Sequence, residues 1–393
     1  MKKLFLMLTA GMLAFASCTK DEGIETTSIP TFTYTTNDDG DTVSVSVKGS
    51  LDEDVTFTAD RIWYLNGFVD VADGATLTIE AGTIIKGNTG QETSASALIV
   101  GQGGTLDAQG TSSEPIIFTS ALDDIAVGET ASTLSTSQNG LWGGLIILGK
   151  APISVTSDAT TSFIEGIPST ETFSQYGGTD ATDNSGTLSY ISIRYGGTLI
   201  GSDNEINGLT LGGVGSGTSI SNIEIISNLD DGIEFFGGTV DVTNLLVWNC
   251  GDDAIDTDQG WSGILSNFYV IDAGNSAFEL DGPEGSDDAT AAKHTIEKGT
   301  VDGFGDHAID MDEDSNVILD DINFIGISGN ADLAAANASE SLDAANSTVT
   351  NIEADGDATN VTAAALFPNI TLGTATGSTA DFSWTFASSE GAL

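Results

Sequence analysis

Between residues 219 and 325 the chain alternates apolar and polar residues in short runs that recur at a nearly fixed interval. With Asn222 as position zero, equivalent starts fall at Asn244, Asn267, Lys298 and Asp321; the first three lie 22 and 23 residues apart, and an inserted loop lengthens the next interval to 31. Position 3 is then Ile225, Val247, Val270, Val301 and Phe324, and position 10 is always small: Gly232, Ala254, Ala277, Ala308. Position 11 holds Ile233, Ile255, Phe278 and Ile309, position 13 holds Phe235, Thr257, Leu280 and Met311, and positions 12 and 14 hold mostly carboxylates. A period of two puts one apolar and one wet face on a short strand. A repeat of this length marks a solenoid, in which like strands stack on like strands about 4.8 Å apart and parallel crossovers are right-handed. The pattern predicts an all-β fold, a single-stranded right-handed parallel β-helix with caps at its N- and C-terminal ends.

Stacking gathers acids. Asp256, Asp258, Glu279, Asp281, Asp310 and Asp312 point outward on one face, with Asp252, Asp253 and Asp306 at the adjoining turn. Like charges on neighbouring strands repel and Asp is a poor strand former. The expectation is therefore that cations, shared protons or plain solvation offset the cost. Calcium takes roughly six to eight oxygens, carboxylates among them, which makes Asp252, Asp256, Asp258, Glu279, Asp281, Asp306, Asp310 and Asp312 candidate Ca2+ ligands. If the face is instead catalytic, Asp253, Asp256 and Glu279 supply the paired carboxylates of a polysaccharide hydrolase. Asp230-Asp231, Asp252-Asp253 and Asp306-His307 precede a small residue at a corner, where short polar side chains bond nearby backbone amides; His307 is also a candidate ligand-binding group. Phe236 and Tyr269 occupy outward positions and Trp261 follows a turn, so all three are candidate platforms for a sugar ring, with burial beneath loops as the alternative. Trp248 and Cys250 read as packing.

The rest of the chain frames this region. Lys2 and Lys3 precede an apolar run to Ala16, too short to span a membrane and suited to a signal peptide over residues 1–17. Phe15-Ala-Ser-Cys18 resembles a lipobox, which makes Cys18 a lipidation site and the outer membrane a partner of the mature chain. Residues 18–41 read as anchor and spacer, 42–60 as the N-terminal cap, 61–330 as the β-helix, and 331–393 as irregular final coils closed by the aromatic alternation Phe382-Ser-Trp-Thr-Phe386. The first coils are expected at Leu77–Ile79 and Leu98–Val100, and polar excursions at 121–139, 154–187 and 282–293. The formal charge of −48, with ten Lys and Arg in 393 residues, excludes nucleic acid as a partner, and no run beyond residue 17 approaches a membrane span.

Several stretches together resemble a family of surface lipoproteins from Bacteroidota and marine proteobacteria: Ala75-Thr-Leu-Thr-Ile-Glu-Ala-Gly-Thr83, Leu141-Trp-Gly-Gly-Leu-Ile-Ile-Leu-Gly149, Ile193-Arg-Tyr-Gly-Gly197, Asp230-Asp-Gly-Ile-Glu-Phe-Phe-Gly-Gly238 and Phe382-Ser-Trp-Thr-Phe-Ala387. The resemblance implies a pectate-lyase-like β-helix on the outer face of the outer membrane and no particular chemistry. Asp252-Asp253 is also similar to the acidic pair of polygalacturonase-type hydrolases, but Gly305-Asp-His307 departs from their Gly-His-Gly, and Arg194 is the sole base to consider for lyase chemistry. The expected function is a cation-stabilised, surface-displayed lipoprotein that binds a glycan or another surface component. The alternatives are a polysaccharide-degrading enzyme and a passive adhesive protein.

Overall fold

The structure is a computed structural model and describes residues 30–200, 205–287, 293–311, 315–327, 348–356, 371–372 and 379–393. It is a right-handed parallel β-helix. One face stacks Ala97–Val100, Leu145–Leu148, Leu209–Gly212, Ile233–Phe236, Ile255–Asp258, Phe278–Leu280 and Ile309–Met311 in register. The longer strands Gly186–Arg194, Ser219–Ile226, Val242–Trp248, Ile264–Ile271, His294–Asp302 and Val317–Ile327 bend midway and build the other two faces.

The bend falls on position zero of the repeat. Tyr190, Asn222, Asn244, Asn267, Lys298 and Asp321 all have φ between 51° and 60°, the left-handed conformation that Asn tolerates better than most residues. Five residues on, Tyr195, Ser227, Asn249 and Asp272 turn the second corner with φ of 50° to 62°. Stacked corners let like side chains bond each other: the Asn244 amide donates to Asn222 Oδ1 at 3.0 Å, and the Asn267 amide to Asn244 Oδ1 at 2.7 Å.

The apolar columns run straight up the interior. Ile225, Val247, Val270, Val301 and Phe324 are partners in register and fully buried, as are Ile233, Ile255, Phe278 and Ile309 on the acid-bearing face. Position 10 is small because neighbouring coils nearly touch there: a Cβ on Gly232 would meet Ala254 O and Val247 Cγ1, each at 2.5 Å.

Three expectations need correction. Leu77–Ile79 and Leu98–Val100 are not successive turns of one column, since Leu77 pairs with Val55 and Leu106 whereas Leu98 pairs with Val69 and Leu145. Thr31–Thr36, within the expected spacer, forms an antiparallel pair with Thr42–Leu51. Beyond residue 330, where final coils are expected, Thr348–Gly356 pairs in parallel with Val317–Ile327. The closing aromatics form no strand and no end plug. Ala380–Phe382 is a turn, Phe386–Glu390 a short helix, and both lie on the flank of the middle coils, where Phe382 and Ala387 pack with Leu246, Tyr269 and Ile271. The remaining stretch from 331 to 378 lies largely outside the described residues.

Asn244→Ala should lose two side-chain hydrogen bonds of about 1 kcal/mol each and carry a left-handed penalty of about 1–2 kcal/mol. Urea unfolding should show a loss of about 3 kcal/mol, and Asn244→Gly, free of the backbone penalty, a smaller one. Equal losses would remove the corner conformation from the explanation.

Candidate functional site

The outward side of the acid-bearing face changes character along its length. On the early coils it is apolar: Ile99, Ile146 and Leu148 make a second hydrophobic layer outside the coil with Ile153, Val155, Ile164, Ile167, Tyr176 and Phe236. That layer roots the excursion after Leu148, which then runs over the later coils. There the same column reads Thr210, Glu234, Asp256, Glu279, Asp310 in register. Two excursions are clasped above it. Thr156 donates from its N–H and its hydroxyl to Glu284 Oε2, both at 2.7 Å, Ser154 Oγ donates to Glu284 O, and Ser286 N–H donates to Asp158 Oδ1. Tyr176 closes the span by donating to Gln259 Oε1 at 2.8 Å.

The roof turns the acids into buried groups. Asp231, Glu234, Asp253 and Asp256 are 2% to 8% exposed. Asp231 and Asp253 sit at the corner, and each accepts from the backbone N–H one coil on: Asp253 N to Asp231 Oδ1 at 2.9 Å, Ser276 N to Asp253 Oδ1 at 2.5 Å. Those bonds are the structural role expected of corner residues. Asn207 donates to Glu234 Oε2. Asp256 Oδ1 is buried and has no partner. Oxygens of Asp231, Glu234 and Asp256 lie within 4.8 Å of one another, and so do oxygens of Asp230, Asp231 and Asp252. Two ligands on one calcium ion stand no farther apart than about 5 Å, twice the Ca–O distance, so both trios fit a shared cation.

Among the described residues no base forms an ion pair with Asp231, Glu234, Asp253 or Asp256; the pairs Arg61–Asp60, Lys150–Asp73, Lys298–Glu297 and His307–Asp306 lie elsewhere. Burial, then neighbouring carboxylates, pushes the acids up. Asp231, Glu234 and Asp256 rise well above the usual range. Asp230 rises to about 7 with Glu205, Asp252, Glu165 and Asp253 facing it; Asp258 rises to about 7, with Asp281 and Glu284 facing it and Gln259 N–H opposing the rise. Glu279 rises to about 9, its carboxyl bonded to that of Asp253, and Glu234 is likewise bonded to Asp256. Each pair sets two acidic groups in contact. Carboxyls in contact are closer than the roughly 5–9.5 Å that flanks a glycosidic bond.

The site therefore differs from the exposed wall that alternation implies. Asp252, Asp256, Asp258, Glu279 and Asp281 come together there, and Asp310 continues the column; Asp306 is exposed at a turn beside His307 at 3.7 Å. Asp312 and Cys18 lie outside the described residues. Asp231 and Glu234 belong at the centre and were legible, since they are positions 9 and 12 of the same repeat; Glu165 comes from the excursion after Leu148 and Glu205 from the connection before Leu209, and neither carries a periodic signal. The three aromatic platforms fail. Phe236 packs edge-on against Tyr176 beneath the excursion, Trp261 stacks at 3.9 Å on Phe235 inside the coil, and Tyr269 lies under the C-terminal segment; all three are at least nine-tenths buried. Outward in a strand is not outward in the molecule where a second layer covers it. Arg194 is buried on another face, over the Phe386 ring at 4.6 Å, away from any role beside these acids. His294, between Thr257 and Trp261 in the interior, is held neutral by burial, its pKa lowered to about 3.

With this geometry in hand, comparison places the chain. Residues 49–391 match a family described as a pectate-lyase-like beta helix domain. No curated protein and no solved structure matches. Among the described residues no helix is long and apolar enough to cross a membrane.

Carboxyls whose folded pKa is raised stabilise the fold fully below their unfolded values near pH 4, and that contribution disappears as pH rises through the folded values. In chelator, the melting temperature should fall between pH 5 and 9 as Asp230 and Asp258 (about 7) and then Glu279 (about 9) ionise. Asp256→Asn should flatten the profile. A melting temperature that climbs over this interval would contradict the burial of the cluster.

Proposed function

The chain belongs to the pectate-lyase-like β-helix family, and from that premise we propose a surface-displayed outer-membrane lipoprotein whose coil is stabilised by divalent cations, calcium first, and which binds a neutral glycan. One observation carries the cation reading: a buried group of carboxylates with no Lys or Arg among them, at whose centre Asp256 Oδ1 is without a partner. A buried carboxylate with no opposite charge beside it costs several kcal/mol, and a cation shared by neighbouring acids offsets that cost. Asp231, Glu234 and Asp256 would hold one ion, and Asp230 with Asp252 a second. The ion here is structural: it ties two successive coils to each other beneath the clasped excursions.

The family supports a glycan as the partner, and the charge of −48 narrows it. A polyanion would be repelled unless cations bridge it, so a neutral glycan fits better. A hydrolase using Asp253, Asp256 and Glu279 is the second reading; it needs carboxyls roughly 5 Å or more apart, whereas Asp253 with Glu279 and Glu234 with Asp256 stand in contact. Reducing-end release from neutral polysaccharides that persists in Asp256→Asn would exclude that mechanism.

Calcium added to metal-free protein at pH 8 should raise the melting temperature by mass action, by about 2.7 kcal/mol of stability at 100-fold excess over Kd. Asp256→Asn, similar in shape, should lose most of that gain while staying folded. An unchanged melting curve in wild type removes the ion from the account. For the anchor, palmitate labelling should mark the wild-type chain and not Cys18→Ser; equal labelling would place the lipid elsewhere.

A further inference from the structure

A second site is built where the end of the chain returns to the coil. The segment from Ala380 to Glu390 closes over a cavity of about 250 Å³ on the flank, partly open to solvent. Arg194 and Glu224 form its floor, Trp384 and Phe386 its roof, and Ser112 and Ser113 its rim. The floor is fixed: the Arg194 Nε donates to Ser192 Oγ and an Nη to Thr130 O, both at 2.8 Å, and Glu224 accepts from Ser192 Oγ at 2.6 Å and from Ala387 N–H at 2.9 Å.

Capacity is left over on both sides. Arg194 is 1% exposed, and among the described residues it forms no ion pair. Of the five N–H donors of a guanidinium, two are accounted for by these bonds. The Trp384 indole N–H is buried without an acceptor. Glu224 retains lone pairs beyond its two bonds. A matching ligand must accept from Arg194 and Trp384 and donate to Glu224, which a simple anion cannot do and vicinal hydroxyls can. It must also carry little charge, given the field of the whole chain. Trp384 is half-buried, edge-on to Tyr190 at 5.4 Å, and offers an apolar face beside these polar groups. The volume lies just under the roughly 300 Å³ at which pockets for drug-sized ligands begin, which suits a single ring and not a chain of them.

We propose that this cavity binds one neutral pyranose ring, the terminal or branching residue of a neutral glycan, with Arg194 and Glu224 bridging adjacent hydroxyls and Trp384 contributing its N–H and ring. The inference rests on the glycan part of the proposed function and is independent of the cation.

The full-length protein, with nitrogen-15 in its tryptophans, can be titrated with methyl glycosides of glucose, galactose, mannose and N-acetylglucosamine, and with glucuronic acid as the charged comparison. One indole N–H resonance should shift saturably with at least one neutral glycoside, and Trp384→Phe should delete that same resonance. Glu224→Gln should weaken binding at least tenfold. Unchanged melting temperatures, and C-termini as resistant to carboxypeptidase as in wild type, would show that both variants keep the segment docked. A neutral glycoside bound equally well by both variants would overturn this site while leaving the glycan reading standing. Binding of glucuronic acid alone would overturn the neutral ligand, and a wild-type protein that bound no neutral glycoside or neutral polysaccharide would sink both.

Discussion

Strand spacing of about 4.8 Å governs this molecule, because a parallel coil turns every position of its repeat into a column of neighbours. Whatever stands at a position must tolerate copies of itself directly above and below. Isoleucine, valine and phenylalanine do so inside, where the column is the core. Asparagine does so at the corner, where one amide serves as donor to the coil before and acceptor from the coil after. Aspartate and glutamate do not, since each copy raises the cost of the next. The column Glu234, Asp256, Glu279, Asp310 is therefore the point where the repeating plan works against stability, and where something other than the chain must enter.

The roof makes that cost larger and gives it a use. Were the acids exposed, water and salt would screen them at little expense. The excursion from Ile153 to Tyr176, rooted in its own apolar layer and clasped to Glu284, takes them out of water instead. A buried acid can stay neutral by keeping a proton or stay charged by holding a cation, and the two solutions respond oppositely to pH. The family membership says nothing of which is used; the absence of any base among the described neighbours is what forces the choice.

Periodicity made the interior legible almost residue by residue: the columns at positions 3 and 11 of the repeat run through the coil as the spacing requires. It also gave the vertical order Asp256, Glu279, Asp310. It did not give depth. Phe236 and Tyr269 do alternate outward, yet loops and the C-terminal segment cover them, and nothing local in their sequence differs from an exposed aromatic. Leu77 and Leu98 show the other limit. Two similar strands at a coil-like separation belong to different faces, because the number of residues between them does not say how many corners they turn. The aromatic alternation at Phe382, Trp384 and Phe386 suggested a strand at the end of the stack; the segment is instead a turn and a helix whose partners, Glu224 and Leu246, lie more than 130 residues away in sequence.

A coil in which each turn touches only its neighbours unfolds by fraying, one rung at a time. This chain carries contacts that skip that order. Tyr176 reaches Gln259 across 83 residues, Ser154 reaches Glu284 across 130, and Ala387 reaches Glu224 across 163. Each of them closes a long loop, and the entropy of closure grows only slowly with length, so distant ties cost little more than near ones. Their effect is to make the middle coils a single cooperative unit: loosening one rung there strains the roof, the acidic column beneath it and the docked C-terminal segment together. Both proposed sites sit within that unit, one under the clasped excursions and one under the returning segment. Rigid placement of their polar groups follows from the same ties that hold the coil, and either ligand, by binding across neighbouring rungs, would stabilise the block as a whole.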